Sequence, residues 1–133
     1  MRTNEVFLRI NVILGIDATS ANKSKPTGVE RYAFELIQAM KRLELPPGSE
    51  VVLYTNHKLG DELAACPNNW RVQELVWPIK RGWRAARLSF EMFRRPPDVL
   101  FVPGQALPFF CPNQKKQKHT VTTVHDLGFL KAP

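Results

Sequence analysis

An α/β fold built on a parallel sheet is what this sequence predicts, and three observations predict it. Short apolar runs alternate along the chain with longer stretches of helical period. The first long stretch opens on a capping box, Thr27-Gly28-Val29-Glu30. The first apolar run, Val12-Ile13-Leu14-Gly15-Ile16, is almost unbroken, as expected of a strand buried on both faces.

That run ends at Asp17 and gives the first strand, followed by a polar loop over 18–26 rich in Ser, Asn and Lys. In the helix that Thr27 opens, Val29, Tyr32, Ala33, Leu36, Ile37, Met40 and Leu43 share one face. Pro46-Pro47-Gly48 stops it. A second strand is predicted over 51–55, a short helix over 60–65 ended by Pro67-Asn68-Asn69, and a third strand over 71–76. Pro78 and Gly82 frame the approach to a second long helix, 80–95, which Pro96-Pro97 terminates. A fourth strand spans 98–102. A loop with Pro103, Gly104, Pro108 and Pro112 and a basic turn at 115–118 precede a fifth strand, 119–124. His125-Asp126-Leu127-Gly128 follows at once. The predicted fold is a Rossmann-like parallel sheet of about five strands with flanking helices. Nothing after the fifth strand supplies a helix to cover it, so the expectation is a piece of something longer.

Composition narrows the functional classes. With 44% apolar and 23% charged residues among 133, the chain reads as one globular domain. No apolar run approaches the ~20 residues needed to span a bilayer. The apolar stretch 6–16 has neither a basic leader nor a small-residue cleavage site. Cys66 and Cys111 form no CxxC pair, and a reducing cytoplasm suits them best. H-x-x-x-H, D-x-D and G-x-S-x-G are all absent, which argues against metal-dependent or Ser-nucleophile chemistry. The net charge of +7 sits in the second half, where residues 71–133 hold eleven Lys/Arg against four Asp/Glu. That asymmetry points to an anionic partner without choosing among nucleic acid, lipid and phosphorylated ligand.

Three segments, in this order and spacing, carry a resemblance. They are Ile16-Asp17-Ala18 with Thr27-Gly28-Val29-Glu30-Arg31-Tyr32, then Asp98-Val99-Leu100-Phe101-Val102-Pro103, then Thr123-Val124-His125-Asp126-Leu127-Gly128. Leu88-Ser89-Phe90-Glu91 adds an aromatic-Glu element before the fourth strand. Together they resemble the N-terminal, acceptor-side domain of GT-B glycosyltransferases, particularly the family-4 retaining group. The resemblance implies transfer of a sugar from a nucleotide-sugar to a carbohydrate or lipid-linked acceptor, with no metal and no other cofactor. It also implies that 1–133 is an incomplete GT-B half-domain. The family's donor site uses two Glu eight positions apart, a spacing absent here. The nucleotide-sugar domain is therefore expected to be missing and the chain alone inactive.

The expected site residues follow from position and resemblance together. Thr27 and Gly28 open a helix whose free N–H groups and dipole favour an anion, and a missing Cβ lets a ligand approach the backbone. The resemblance sets this loop beside the donor phosphates and the acceptor; the plain alternative is an N-cap turn. His125 follows a strand at its carboxyl end, where open α/β sheets bind ligands, and an imidazole there can donate to a sugar hydroxyl or stabilise a phosphate. The resemblance makes His125 the catalytic candidate. Arg31 and Asp126 are further substrate-binding candidates, though a cap for the next segment is the favoured reading of Asp126. His57 and His119 read as surface residues. On the 80–95 helix, Lys80, Arg84, Arg87, Arg94 and Arg95 gather with Glu91, while Trp83, Ala86, Phe90 and Phe93 form another side. The expectation there is an aromatic stripe buried on the sheet with solvated charges, peripheral contact with an inner membrane face being the alternative. A non-catalytic basic module binding nucleic acid or anionic surfaces is the competing function, though no helix-turn-helix, RNP strand or Cys/His finger supports it.

Overall fold

The computed structural model describes residues 11–79, 81–104 and 119–125. Five parallel strands form one sheet: β1 Ile13–Asp17, β2 Glu50–Thr55, β3 Trp70–Glu74, β4 Val99–Val102 and β5 His119–Thr122. Their order across the sheet is β3-β2-β1-β4-β5. The chain works outward from β1 to β3 and then crosses back to the other side of β1 for β4. The connections therefore diverge between β1 and β4, which sets a crevice outside their carboxyl ends.

Alternation along β2 explains why both faces are covered. Val51 and Leu53 join Ile16, Ala33, Ile37 and Leu63 in one core. Val52 and Tyr54 point the other way, into a second core with Leu88, Met92, Leu100 and Val102. Gly15 is required at the centre of the sheet, because a Cβ there would lie 2.7 Å from Tyr54 Cε2 and 2.8 Å from Pro97 Cγ. Burial of Tyr54, reinforced by Glu91, pushes its phenol pKa up to about 12.

Helix α1, Gly28–Lys41, begins where the capping box sets it. Glu30 Oε2 accepts from the Thr27 backbone N–H at 2.8 Å and from its hydroxyl at 3.1 Å. Its end differs from expectation. The helix stops at Lys41, five residues before Pro46, as Arg42 and Leu43 turn their N–H groups to Ala39 and Met40. Leu43 is left 62% exposed, and Val29 and Tyr32 stay more than a third exposed, so only part of the apolar stripe is buried. Helix α2, Asp61–Ala64, is too short to persist alone. The Lys41 ammonium secures it, donating to the carbonyls of Glu62, Leu63 and Ala65 at 2.9, 2.8 and 2.8 Å.

The region expected as one regular helix over 80–95 is different in kind. Gly82 takes a left-handed φ of 80°, and a π-helical turn, Trp83–Leu88, runs into α3, Ser89–Arg94. Lys80 lies outside the described residues. The Trp83 indole N–H donates to the Leu75 carbonyl at 2.8 Å, fixing the start of the turn. The wider π turn then rotates the faces that a 100° period predicts. Trp83 is buried as expected, but the other inward positions are Leu88, Ser89, Glu91 and Met92, and Phe90 and Phe93 are 53% and 56% exposed. The expected buried aromatic stripe is thus corrected. Nor are all the charges solvated: the buried Glu91 carboxylate pairs with Arg87 at 3.2 Å and Arg95 at 3.3 Å.

Candidate functional site

The polar end of β1 is organised by an ion pair. Asp17, fully buried, receives the Arg84 Nε–H at 2.5 Å. Its other oxygen accepts from the Thr19 backbone N–H at 3.0 Å and hydroxyl at 2.6 Å. Arg84 Nη2 reaches the hydroxyls of Thr19 at 2.6 Å and Ser20 at 3.1 Å. A buried carboxylate needs such partners, since its desolvation alone costs several kcal/mol. Arg84 was expected among the solvated charges; instead the π turn delivers it to the crevice between β1 and β4. Across that crevice Ser20 Oγ would lie 3.6 Å from a Cβ at Gly104.

His125 sits on the same rim. Its Nε2 is 2.8 Å from the Pro103 carbonyl, and its ring meets Tyr32 edge to face at 5.0 Å. A carbonyl can only accept, so Nε2 carries the proton and Nδ1 is the free lone pair of the neutral ring. Tyr32 also reaches the Thr123 hydroxyl at 3.3 Å, and the Thr122 hydroxyl donates to the Gly104 carbonyl at 2.5 Å. Thus β4, β5 and the start of α1 are tied together at the carboxyl edge of the sheet. Thr27 and Gly28 are exposed, and a Cβ at Gly28 would meet nothing within 4 Å. The space above this helix start is open.

Arg31 lies apart from His125. It lines a cleft of about 550 Å3 between α1, the β1–α1 loop and the start of α2. Asp126 and the basic turn 115–118 fall outside the described residues. His57 and His119 are exposed, as expected. Burial raises the Cys66 thiol pKa, which leaves it a poor nucleophile. Among the described residues no group of three or more His, Cys, Asp or Glu could hold a metal ion, and no helix is long and apolar enough to cross a membrane.

Two features escaped sequence reasoning. The Arg84–Asp17 pair joins residues 67 apart and depends on the π turn. The cleft arises only when α1 packs beside α2. A signal for the first existed in the Asp that closes an apolar strand, since such a buried carboxylate demands a cation.

By its strand order and its crevice at the carboxyl ends, the chain belongs to the class of Rossmann-like α/β folds. Compared with models of known protein families, with curated proteins and with solved structures, it matches none of them.

Proposed function

We propose that this chain is the acceptor-side part of a GT-B glycosyltransferase of the family-4 retaining kind. It would serve transfer of a sugar from a nucleotide-sugar to a carbohydrate or lipid-linked acceptor. One observation supports the reading: the described ends of the first three segments that bear the resemblance meet at one rim, while the Leu88–Glu91 element packs elsewhere. Asp17 and its loop, the start of α1, Pro103 and His125 all stand at the carboxyl ends of β1, β4 and β5. A parallel sheet sets the carboxyl ends of its strands on one edge, and the resemblance adds which residues stand there.

In this reading each residue has a definite task. His125, held by the Pro103 carbonyl and Tyr32, offers Nδ1 to an acceptor hydroxyl when neutral and donates to a phosphate oxygen when charged. At the start of α1 the Thr27 N–H is taken by Glu30, so the N–H groups of Gly28 and Val29 are the ones offered to donor phosphate. Asp17 and Arg84 hold the β1 loop in register and are positioning residues. The leaving phosphate takes the acceptor proton, as in the family, so no flanking carboxylate pair is needed. The exposed Phe90 and Phe93 beside Arg94 and Arg95 suit peripheral contact with an anionic bilayer, where a lipid-linked acceptor would reside. The competing reading, a nucleic-acid module, draws only on the charge.

The test is a transfer assay read by mass spectrometry, using a panel of nucleotide-sugars with oligosaccharide and lipid-phosphate acceptors. Joined to a polypeptide that supplies the donor domain, the chain is expected to transfer a sugar. His125→Ala should then lower turnover about a hundredfold, the effect of ~3 kcal/mol at a transition state, with little change in melting. Absence of transfer, with salt-sensitive nucleic-acid binding by the chain, would replace this reading with the competing one.

A further inference from the structure

The cleft at Arg31 is a built cavity, separate from the His125 rim. One wall is α1, with Arg31, Phe34 and Glu35, and the other is the start of α2, with Asp61 and Glu62. Both walls are fixed. Asn22 Oδ1 accepts from the Gly60 N–H at 3.1 Å, and its Nδ2 donates to the Lys58 carbonyl at 3.0 Å. Lys41 ties α2 to α1 from the other end, as described above. The cavity is therefore preformed, and its roughly 550 Å3 lies within the usual span of small-molecule sites, about 300–1,000 Å3.

Its chemistry selects a ligand class. Lys23 and Arg31 supply two positive charges, and Glu35, Asp61 and Glu62 supply three negative ones. Among the described residues none of these five side chains makes an ion pair or a side-chain hydrogen bond, and Lys23 acts on Glu30 only through its charge. The near balance of charge gives no preference for a phosphate, which the three carboxylates would repel. No metal-holding group forms there either. The half-buried Phe34 offers apolar surface among these polar groups, while Leu63 behind it is sealed in the core. Planar carboxylates and a guanidinium beside the Phe34 ring match a pyranose ring, with hydroxyls at its edge and C–H groups on its face.

We propose that this cleft binds a neutral hexopyranose unit of the acceptor glycan, one subsite away from the reacting hydroxyl. This rests on the glycosyltransferase reading and adds to it the class of acceptor, a neutral oligosaccharide. The experiment is amide chemical-shift titration of the chain with neutral trisaccharides of glucose, mannose and N-acetylglucosamine, beside phosphocholine and inorganic phosphate. At least one neutral trisaccharide is expected to give saturable shifts at 21–24, 31–35 and 60–63. Arg31→Ala and Glu35→Gln, both at exposed positions whose replacement should leave the melt unchanged, should each weaken that binding about tenfold. Glycan shifts confined to 122–125 and 103–104 would overturn this subsite yet leave the glycosyltransferase reading standing. Tighter binding of phosphate or phosphocholine in the cleft would overturn the neutral-glycan class. Failure of every glycan to bind anywhere on the chain would count against both.

Discussion

Gly15 and Gly28 show how differently a glycine can be required. At Gly15 the neighbouring atoms leave no room, so Gly15→Ala should overpack the sheet and cost ~1–3 kcal/mol in a denaturant melt. At Gly28 nothing lies within 4 Å and φ is not positive, so Gly28→Ala should leave stability unchanged or slightly raised. Should Gly28→Ala weaken phosphate-ligand binding while keeping its melt, the glycine serves the ligand rather than the fold. Should Gly28→Ala bind such ligands as well as the parent, its role in the site is lost. Arg84 is the third residue whose role can be isolated. Arg84→Ala keeps the Thr19 hydrogen bonds to Asp17 but removes the counter-charge of a buried carboxylate. Because Arg84 keeps 30% of its side chain exposed, a loss of ~2–4 kcal/mol is expected, at the lower side of buried-pair costs. A double-mutant cycle with Asp17→Asn should show coupling of at least ~0.5 kcal/mol, and strict additivity would mean that the pair does not act as a unit.

Among the elements, α1 and the 83–94 segment mark what a sequence can and cannot disclose. The capping box is local, written in Thr27 and Glu30, and the helix begins there as read. The hydrogen bond from the Thr27 backbone N–H, with that from its hydroxyl, holds the Glu30 carboxyl below its ordinary pKa. A lowered carboxyl pKa contributes stability fully above the unfolded value and loses it as pH falls through the folded value. The melting difference between the parent and Glu30→Gln should therefore be present at neutral pH and fade under acid conditions. A difference independent of pH would show that the carboxylate charge does not matter at this cap. The π turn was not legible, because it depends on a long contact, Trp83 to the Leu75 carbonyl, and on the left-handed Gly82. A 100° wheel assumes regular winding, so it turned Phe90 and Phe93 inward and Arg84 outward, the reverse of what packing selects. The early end of α1 escaped for a similar reason. Pro46 marks where the helix must have ended, while the end itself is set by the last turn tightening after Lys41.

On the scale of the whole molecule, the parallel order β3-β2-β1-β4-β5 explains why residues distant in sequence share a rim. Strand existence was legible from apolar runs such as 12–16 and 51–55, because burial on both faces leaves few other compositions. Strand order was not, since no local signal says that β4 returns beside β1. The candidate site was legible as separate parts, the helix start and the strand-end His125. Their relation to Tyr32, Pro103 and Thr123 came only with the fold. Under the proposed function, ligands meet this protein at the carboxyl ends of its strands. Amide chemical-shift mapping with the glycan and lipid-phosphate acceptors, together with nucleotide-sugars, tests it most directly. Perturbations are expected at 17–20, 27–35, 60–63, 103–104 and 122–125, with Asn69, Trp70 and Asp98 at the opposite ends of the strands unmoved. Perturbations clustered at those opposite ends, with the rim unchanged, would contradict it.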